Sequence, residues 1–254
     1  MVNQNYTFEG LMSDEAYNAS SLNCYAFRRG TDVRNGIAMS FGNMVSGYPF
    51  LLNGIPFYNS ECAYIAGSFS NGTAEQIGLQ QRLMTCNNGF MAKKAISKPH
   101  EKDKRSDWDD FRVEWMLYCV WSKCIGNADF RKLLLTVPDN AVIIEDSTFQ
   151  HGATASLWGT RNKELKLLLV QYRKELKIHG MNKTSIKREL DRKRLGEWST
   201  IGVFQGCNVM GKILMECRDS LRNGTEPSID YALLREKRIN LLGHVLTFGM
   251  TKVA

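Results

Sequence analysis

The clearest features of the sequence are what it does without. No uncharged apolar stretch approaches the roughly 18 residues needed to cross a bilayer. The opening segment MVNQNYTFEG carries neither a basic region nor an apolar run of the kind that directs export. The expectation is a cytoplasmic protein with no membrane contact. Only four histidines are present, far apart, and the seven cysteines (Cys24, Cys62, Cys86, Cys119, Cys124, Cys207 and Cys217) form an odd set with no C-x-x-C pair. That pattern argues against a zinc site and against a disulfide framework, so no metal and no cofactor is expected. Five Asn-x-Ser/Thr sequons then read as chance matches. There is no internal repeat and no low-complexity tract.

What is present is a chain of 254 residues, 43% hydrophobic, long enough for one large domain or two small ones with a substantial core. Its formal charge of +7 is concentrated in one place. Between Arg161 and Thr200 there are 12 Lys/Arg against 5 Asp/Glu, which leaves 21 of each sign elsewhere. Within this block Leu165, Leu168, Leu169, Tyr172 and Leu176 form one helical stripe, ended by Lys177, His179 and Gly180. A second helical piece carries Ile186 and Leu190 on a thin apolar side and Arg188, Arg192, Lys193 and Arg194 elsewhere. Two readings stand: a solvated helical hairpin packed by its leucines, or a phosphate-tracking surface for nucleic acid whose binding weakens steeply with salt. Tyr172 and Trp198 are the block's only aromatics, so a base-stacking platform is not evident.

Along the rest of the chain the first 20 residues, rich in Asn and Ser, read as a short arm. NCYAFRRG reads as a strand ending in Arg28 and Arg29, and YPFLLNGIPF as a hairpin around Asn53-Gly54, with Pro56 on an edge strand. Asn59 or Ser60 caps a helix whose Cys62, Ile65, Ala66 and Phe69 share a buried face, placing Glu61 in its first turn. Helical spacing over GTAEQIGLQQRLM breaks at Asn87-Asn88-Gly89. The strongest helical region starts at Ser106, with Trp108, Phe111, Trp115, Met116, Cys119 and Val120 on one face. AVIIED reads as a buried strand, NVMGKILMECRDSL as a helix, and IDYALLREKRINLLGHVLTFGM as a last amphipathic helix. Many helices around a few short strands make an α+β fold. We expect an arm over residues 1–22 and one domain over 23–254 that carries 161–200 as a basic helical insertion.

Six pieces in order (FGNM, NSECAYIAGSF, RSDWDDFRVEWM, LLLTV with IIED, LWG, and GCNVMGKILMECR) resemble the motif series of the NADAR superfamily, the YbiA-like N-glycosidases. The resemblance runs from about Asn23 to Leu221 and is interrupted by the basic block. It implies a YbiA-like fold and hydrolysis of an N-glycosidic bond, with Glu61 at the position of the family's catalytic glutamate. It also implies substrate contacts for Asn43, Ser60, Trp108, the Trp158-Gly159 loop and Asn208. Family members often carry an acidic residue where this chain has Ala155, so a second carboxyl would have to come from Asp146 or Glu145.

The chemistry gives these assignments their sense. Cleaving an N-glycosidic bond passes through an oxocarbenium-like transition state, which a carboxylate can balance or exploit to orient water. A helix N-terminus favours the ionised form of Glu61 and suits it to a base or electrostatic stabiliser. Trp108 could stack on the departing base, a glycine at 159 could let backbone approach the ligand, and Arg28 could pair with phosphate.

The resemblance implies two substrate classes: ADP-ribose on guanine, in nucleic acid or nucleosides, and ribosylamino-pyrimidine phosphates. An ADP-ribosylating toxin would be a functional partner in the first case. The basic block, with Arg188, Arg192, Lys193 and Arg194 as nucleic-acid contacts, favours the first. A binding module that has lost catalysis with Ala155, or a nucleic-acid-binding protein with a vestigial pocket, are the alternatives.

Overall fold

The computed structural model describes residues 7–21 and 23–249. In chain order they form α1 (Phe8–Met12), β1 (Glu15–Asn18), β2 (Cys24–Phe27), β3 (Val33–Arg34), β4 (Ile37–Ala38), β5 (Phe50–Leu52), β6 (Ile55–Phe57), α2 (Ser60–Ser68), α3 (Ala74–Met84) and α4 (Gly89–Met91). A π-helical turn (Ala92–Ser97) and a 3-10 turn (Lys98–Asp103) lead into α5 (Trp108–Gly126) and α6 (Ala128–Leu135). There follow β7 (Val142–Glu145), α7 (Ala153–Trp158), β8 (Arg161–Asn162), α8 (Lys163–Ile178), α9 (Lys183–Leu195), β9 (Val203–Gly206), α10 (Val209–Asn223), α11 (Tyr231–Glu236), β10 (Asn240–Leu241) and β11 (His244–Val245). The class is α+β, as the sequence pattern suggests. No helix among the described residues is long and apolar enough to cross a membrane. Two units are distinguishable among the described residues: those up to 40 with 137–215, and 41–136 with those from 216 on.

In the first unit β2 and β7 pair in parallel, Cys24 opposite Val142 and Phe27 opposite Glu145. Antiparallel β1, β9 and β8 make a second small sheet. β1 corrects the expected arm: Glu15 to Asn18 are laddered onto Gly206 to Val203, so this segment belongs to the sheet. Lys212 fixes it further, its ammonium donating to the Gly10 and Ser13 carbonyls at 2.8 and 3.0 Å and pairing with Glu15 at 2.6 Å.

The basic block is two helices. Asn162 and Asn182 cap them, each side-chain oxygen accepting from the N–H three residues on at 2.9 Å, and Gly180 turns the chain between them with φ +72°. Leu165 and Leu169 join Ala19, Cys24, Ile144 and Phe204 in one apolar cluster, with Leu190 and Trp198 packed against it. The leucine stripe is therefore what seats the hairpin on this unit.

The second unit is built around α5, whose Phe111, Trp115, Cys119, Val120 and Trp121 are almost wholly buried. Such all-round burial explains why the sequence there is apolar on more than one face. α2 can lie close to α5 because its residues are small. Gly67 leaves room for the Trp115 indole, whose Nε1 donates to the Ala63 carbonyl at 3.1 Å. The Asn53-Gly54 turn forms as expected, with φ +48° and +81°, and the Phe50 and Phe57 rings meet across the β5–β6 hairpin at 6.3 Å.

The expected last helix is corrected. α11 ends at Glu236, Arg238 takes φ +46°, and Leu242-Gly243, at +55° and +87°, turns β10 back on β11.

Two buried acids of this unit give a pH prediction. Glu114 accepts from the Asp230 N–H at 2.5 Å and Glu216 from the Ser228 N–H at 2.6 Å. Burial pushes each carboxyl up to about 7, and for Glu216 the neighbouring Glu114 adds to the rise. A carboxyl whose folded value is raised stabilises fully below its unfolded value and loses that contribution as pH rises through the folded one. The melting temperature of the wild type is thus expected to fall between pH 5 and 8 relative to Glu114→Gln/Glu216→Gln. The difference should be on the order of a few kcal/mol across that window. Parallel pH curves for the two proteins would contradict it.

Candidate functional site

In the second unit the site is assembled at the start of α2. The Asn59 side chain caps the helix, its Oδ1 accepting from Cys62 N at 2.9 Å, and the Glu61 N–H donates to the Asn43 carbonyl at 3.0 Å. Asn59, Ser60 and Glu61 are all buried, Glu61 at 7% exposure. The Asn59 Nδ2 and the Ser60 Oγ have no hydrogen-bond partner among the described residues. Buried polar atoms are nearly always satisfied, so these two orphans, on the two residues that precede a buried acid, are groups that a ligand or water would complete.

A helix N-terminus favours the carboxylate, but Glu61 is also buried, and burial raises its carboxyl above the ordinary value against the pull of Lys93 and Lys104. Glu61 therefore holds its proton to higher pH than a surface glutamate. Trp108 is buried at the head of α5 and packs on Tyr64 at 5.0 Å and Phe111 at 5.1 Å. Tyr64 is the residue that the sequence reading missed. Burial, and after it the Glu61 charge, raises its phenol. Its place three residues after Glu61, on the same side of the helix, was the signal available.

The other predicted residues lie in the first unit. Asp146 follows β7, is 2% exposed, and its Oδ1 accepts from the Thr148 N–H at 2.9 Å. Asn208, at φ +53°, donates to the Ile143 carbonyl at 2.8 Å and accepts from the Glu145 N–H at 3.0 Å. Both ends of its amide thus tie β7 to the start of α10, a clamping role. Gly159 is also tight for an internal reason. A Cβ there would meet the Glu145 carbonyl at 2.7 Å, so the close approach is made by protein backbone. Gly159→Ala is expected to lower stability by about 1–3 kcal/mol, read by thermal or urea unfolding; an unchanged midpoint would return the glycine to a ligand role. Trp158, just before it, is half-buried.

Arg28 and Arg29 stand at the carboxyl end of β2, beside Asp146 at the end of β7, where open parallel strands commonly bind ligands. Their N–H groups donate to Asp32 Oδ2 at 2.8 and 3.1 Å. Arg194 reaches the same place from α9: it is 5% exposed, donates to Asp32 Oδ1 at 2.6 Å, and lies 3.9 Å from Asp146 and 3.8 Å from Asp191. Burial opposes the Asp32 charge, yet the Arg194 guanidinium and the two N–H groups hold its carboxyl below the usual range.

The expected nucleic-acid contacts divide accordingly. Arg194 is interior, held by carboxylates. Arg192 pairs with Glu189 at 2.6 Å, and Lys193 pairs with Glu197 and lies 5.3 Å over the Trp198 ring. Arg188 is exposed. In front of Arg28, Arg29 and Arg194 the hairpin encloses a cavity of about 350 Å³, with Arg173 and Lys187 on its rim. Among the described residues no cluster of three or more His, Cys, Asp or Glu side chains is placed to hold a metal.

No family model matches the chain, and no curated protein does. Among solved structures it is similar to the NMR structure of the E. coli protein YbiA, with 18% identity over 81% of this chain and 92% of that one, at a TM-score of 0.48.

Proposed function

We propose that the protein is an N-glycosidase that cleaves the bond between ADP-ribose and guanine in ADP-ribosylated nucleic acid or nucleoside. The observation that carries the reading is the buried Glu61 carboxyl with its raised proton affinity, preceded in the chain by the unsatisfied Asn59 Nδ2 and Ser60 Oγ. The order of six motifs in the sequence supports the reaction class. A carboxylic acid in such a place protonates the departing base nitrogen and becomes the carboxylate that balances the sugar cation. It then takes a proton from the attacking water, which restores the acid.

The raised affinity of Glu61 lets one residue fill both roles. That fits Ala155, which offers no second acid at the position where relatives of the family carry one. An ADP-ribosylating toxin would then supply the substrate, and Arg188 remains available on the hairpin for a phosphate backbone. The test is to offer the protein ADP-ribosylated guanine, in single-stranded DNA and as the free nucleoside, beside a ribosylamino-pyrimidine phosphate. Liberated sugar is followed by mass spectrometry. Release from the guanine substrates alone is expected; cleavage of the pyrimidine alone would move the enzyme to the second substrate class. Tight binding of both without release would make it a binding module.

A further inference from the structure

The first unit carries a feature that the glycosidase reading uses only through Arg28. The hairpin α8–α9 concentrates positive charge toward its own interior. Two of the cations at the cavity are balanced, Arg194 by Asp32 and Arg29 by Asp191. Three others, Arg28, Arg173 and Lys187, line the cavity with no salt-bridge partner within 4 Å among the described residues. Arg28 is confined as well: it lies 4.8 Å over the Phe149 ring, and its main-chain N–H is taken by Asp32. Burial, and further on the charges of Arg194 and Arg29, lower its proton affinity against the pull of Asp146. Like charges crowded beside a half-buried guanidinium are costly unless an anion completes the set.

The rest of the lining narrows the anion. Leu169, Val170 and Leu190 give the same cavity an apolar wall. Its volume would hold about a dozen waters and reaches the lower range of small-molecule pockets, more than a lone phosphate fills. A nucleic-acid strand calls for an open cationic track with exposed aromatic platforms. Here Tyr172 and Trp198 are packed on each other at 5.3 Å.

We propose that the hairpin and the ends of β2 and β7 form a binding site for a small organic diphosphate. Arg28, Arg173 and Lys187 take its charges and Leu169, Val170 and Leu190 its organic part. The sequence reading gives a phosphate role to Arg28 alone; the hairpin side chains add to it. The proposal draws on no property of Glu61.

The experiment is calorimetric titration of the full chain with inorganic pyrophosphate and with ADP, carried out on the Glu61→Gln protein so that turnover plays no part. One-to-one binding is expected, tighter for ADP because of the apolar wall. Arg173→Ala and Lys187→Ala should each weaken it about tenfold. Both side chains are exposed at the rim, and unchanged melting temperatures would show that the fold is intact. Lys174→Ala/Lys177→Ala removes two charges from α8 outside the cavity, one more than either single variant, and should still leave affinity within about twofold. Three results would overturn the site: no binding of either probe, equal weakening by the outer pair, or binding of an oligonucleotide without binding of pyrophosphate. Each of them leaves the glycosidase reading standing, because that reading is judged by sugar release.

Discussion

Arg194→Ala is expected to destabilise the protein by about 3–5 kcal/mol, because it strands two buried carboxylates. Asp32 and Asp146 are each 2% exposed, and Arg194 is the cation within 4 Å of both. The loss should appear as a large fall in melting temperature and as exposure of the α8–α9 hairpin to limited proteolysis. Arg194→Met with Asp32→Asn removes charge from both sides, and should recover much of the loss although the ion pair is gone. A melting temperature within a degree or two of the wild type for Arg194→Ala would mean that the guanidinium is solvated and that the hairpin is seated by its leucines alone.

Glu61→Gln is expected to lower the rate of sugar release by about 10²–10⁴-fold, the range for removing a positioned proton donor. Stability should not fall with it. A buried carboxyl with a raised proton affinity is a burden on the fold, so the glutamine variant should melt at or above the wild-type temperature. The pH profile carries the sign of the mechanism. As proton donor, Glu61 is active while protonated, so kcat/KM should fall as pH rises through its elevated value, and the remaining rate of Glu61→Gln should lack that limb. A wild-type rate that climbs through the same limb would assign Glu61 to work from its ionised form.

Local signals were read correctly where the chain's own chemistry decides the outcome. Asn59 capping a helix of small residues, and Asn53-Gly54 turning a hairpin, follow from neighbours a few residues apart. The outcomes that could not be read depend on partners distant in the sequence. Arg194 looks like one more surface cation beside Arg192 and Lys193, and only its meeting with Asp32, 162 residues away, takes it inside. For Asn208 the β7 backbone partners of both ends of its amide lie 63 and 65 residues away and cannot be read locally.

Glu61 is the instructive case within the site. Its position in the first turn is legible, but its burial, which raises the proton affinity of the carboxyl, depends on how deeply the rest of the unit covers it. The C-terminal segment failed for a different reason. Apolar residues at Leu241, Leu242, Val245 and Leu246 match helical spacing as well as they match a short hairpin, and Gly243 was the one mark of the turn.

The most direct measurement is the ADP-ribose liberated from guanine-ADP-ribosylated single-stranded DNA by the wild type and by Glu61→Gln, quantified by mass spectrometry at neutral pH. Multiple turnovers by the wild type, with release slowed at least a hundredfold in a variant of equal melting temperature, is the predicted result. No release by the wild type, or equal release by both proteins, would contradict the assignment of Glu61 as the acid that opens the glycosidic bond.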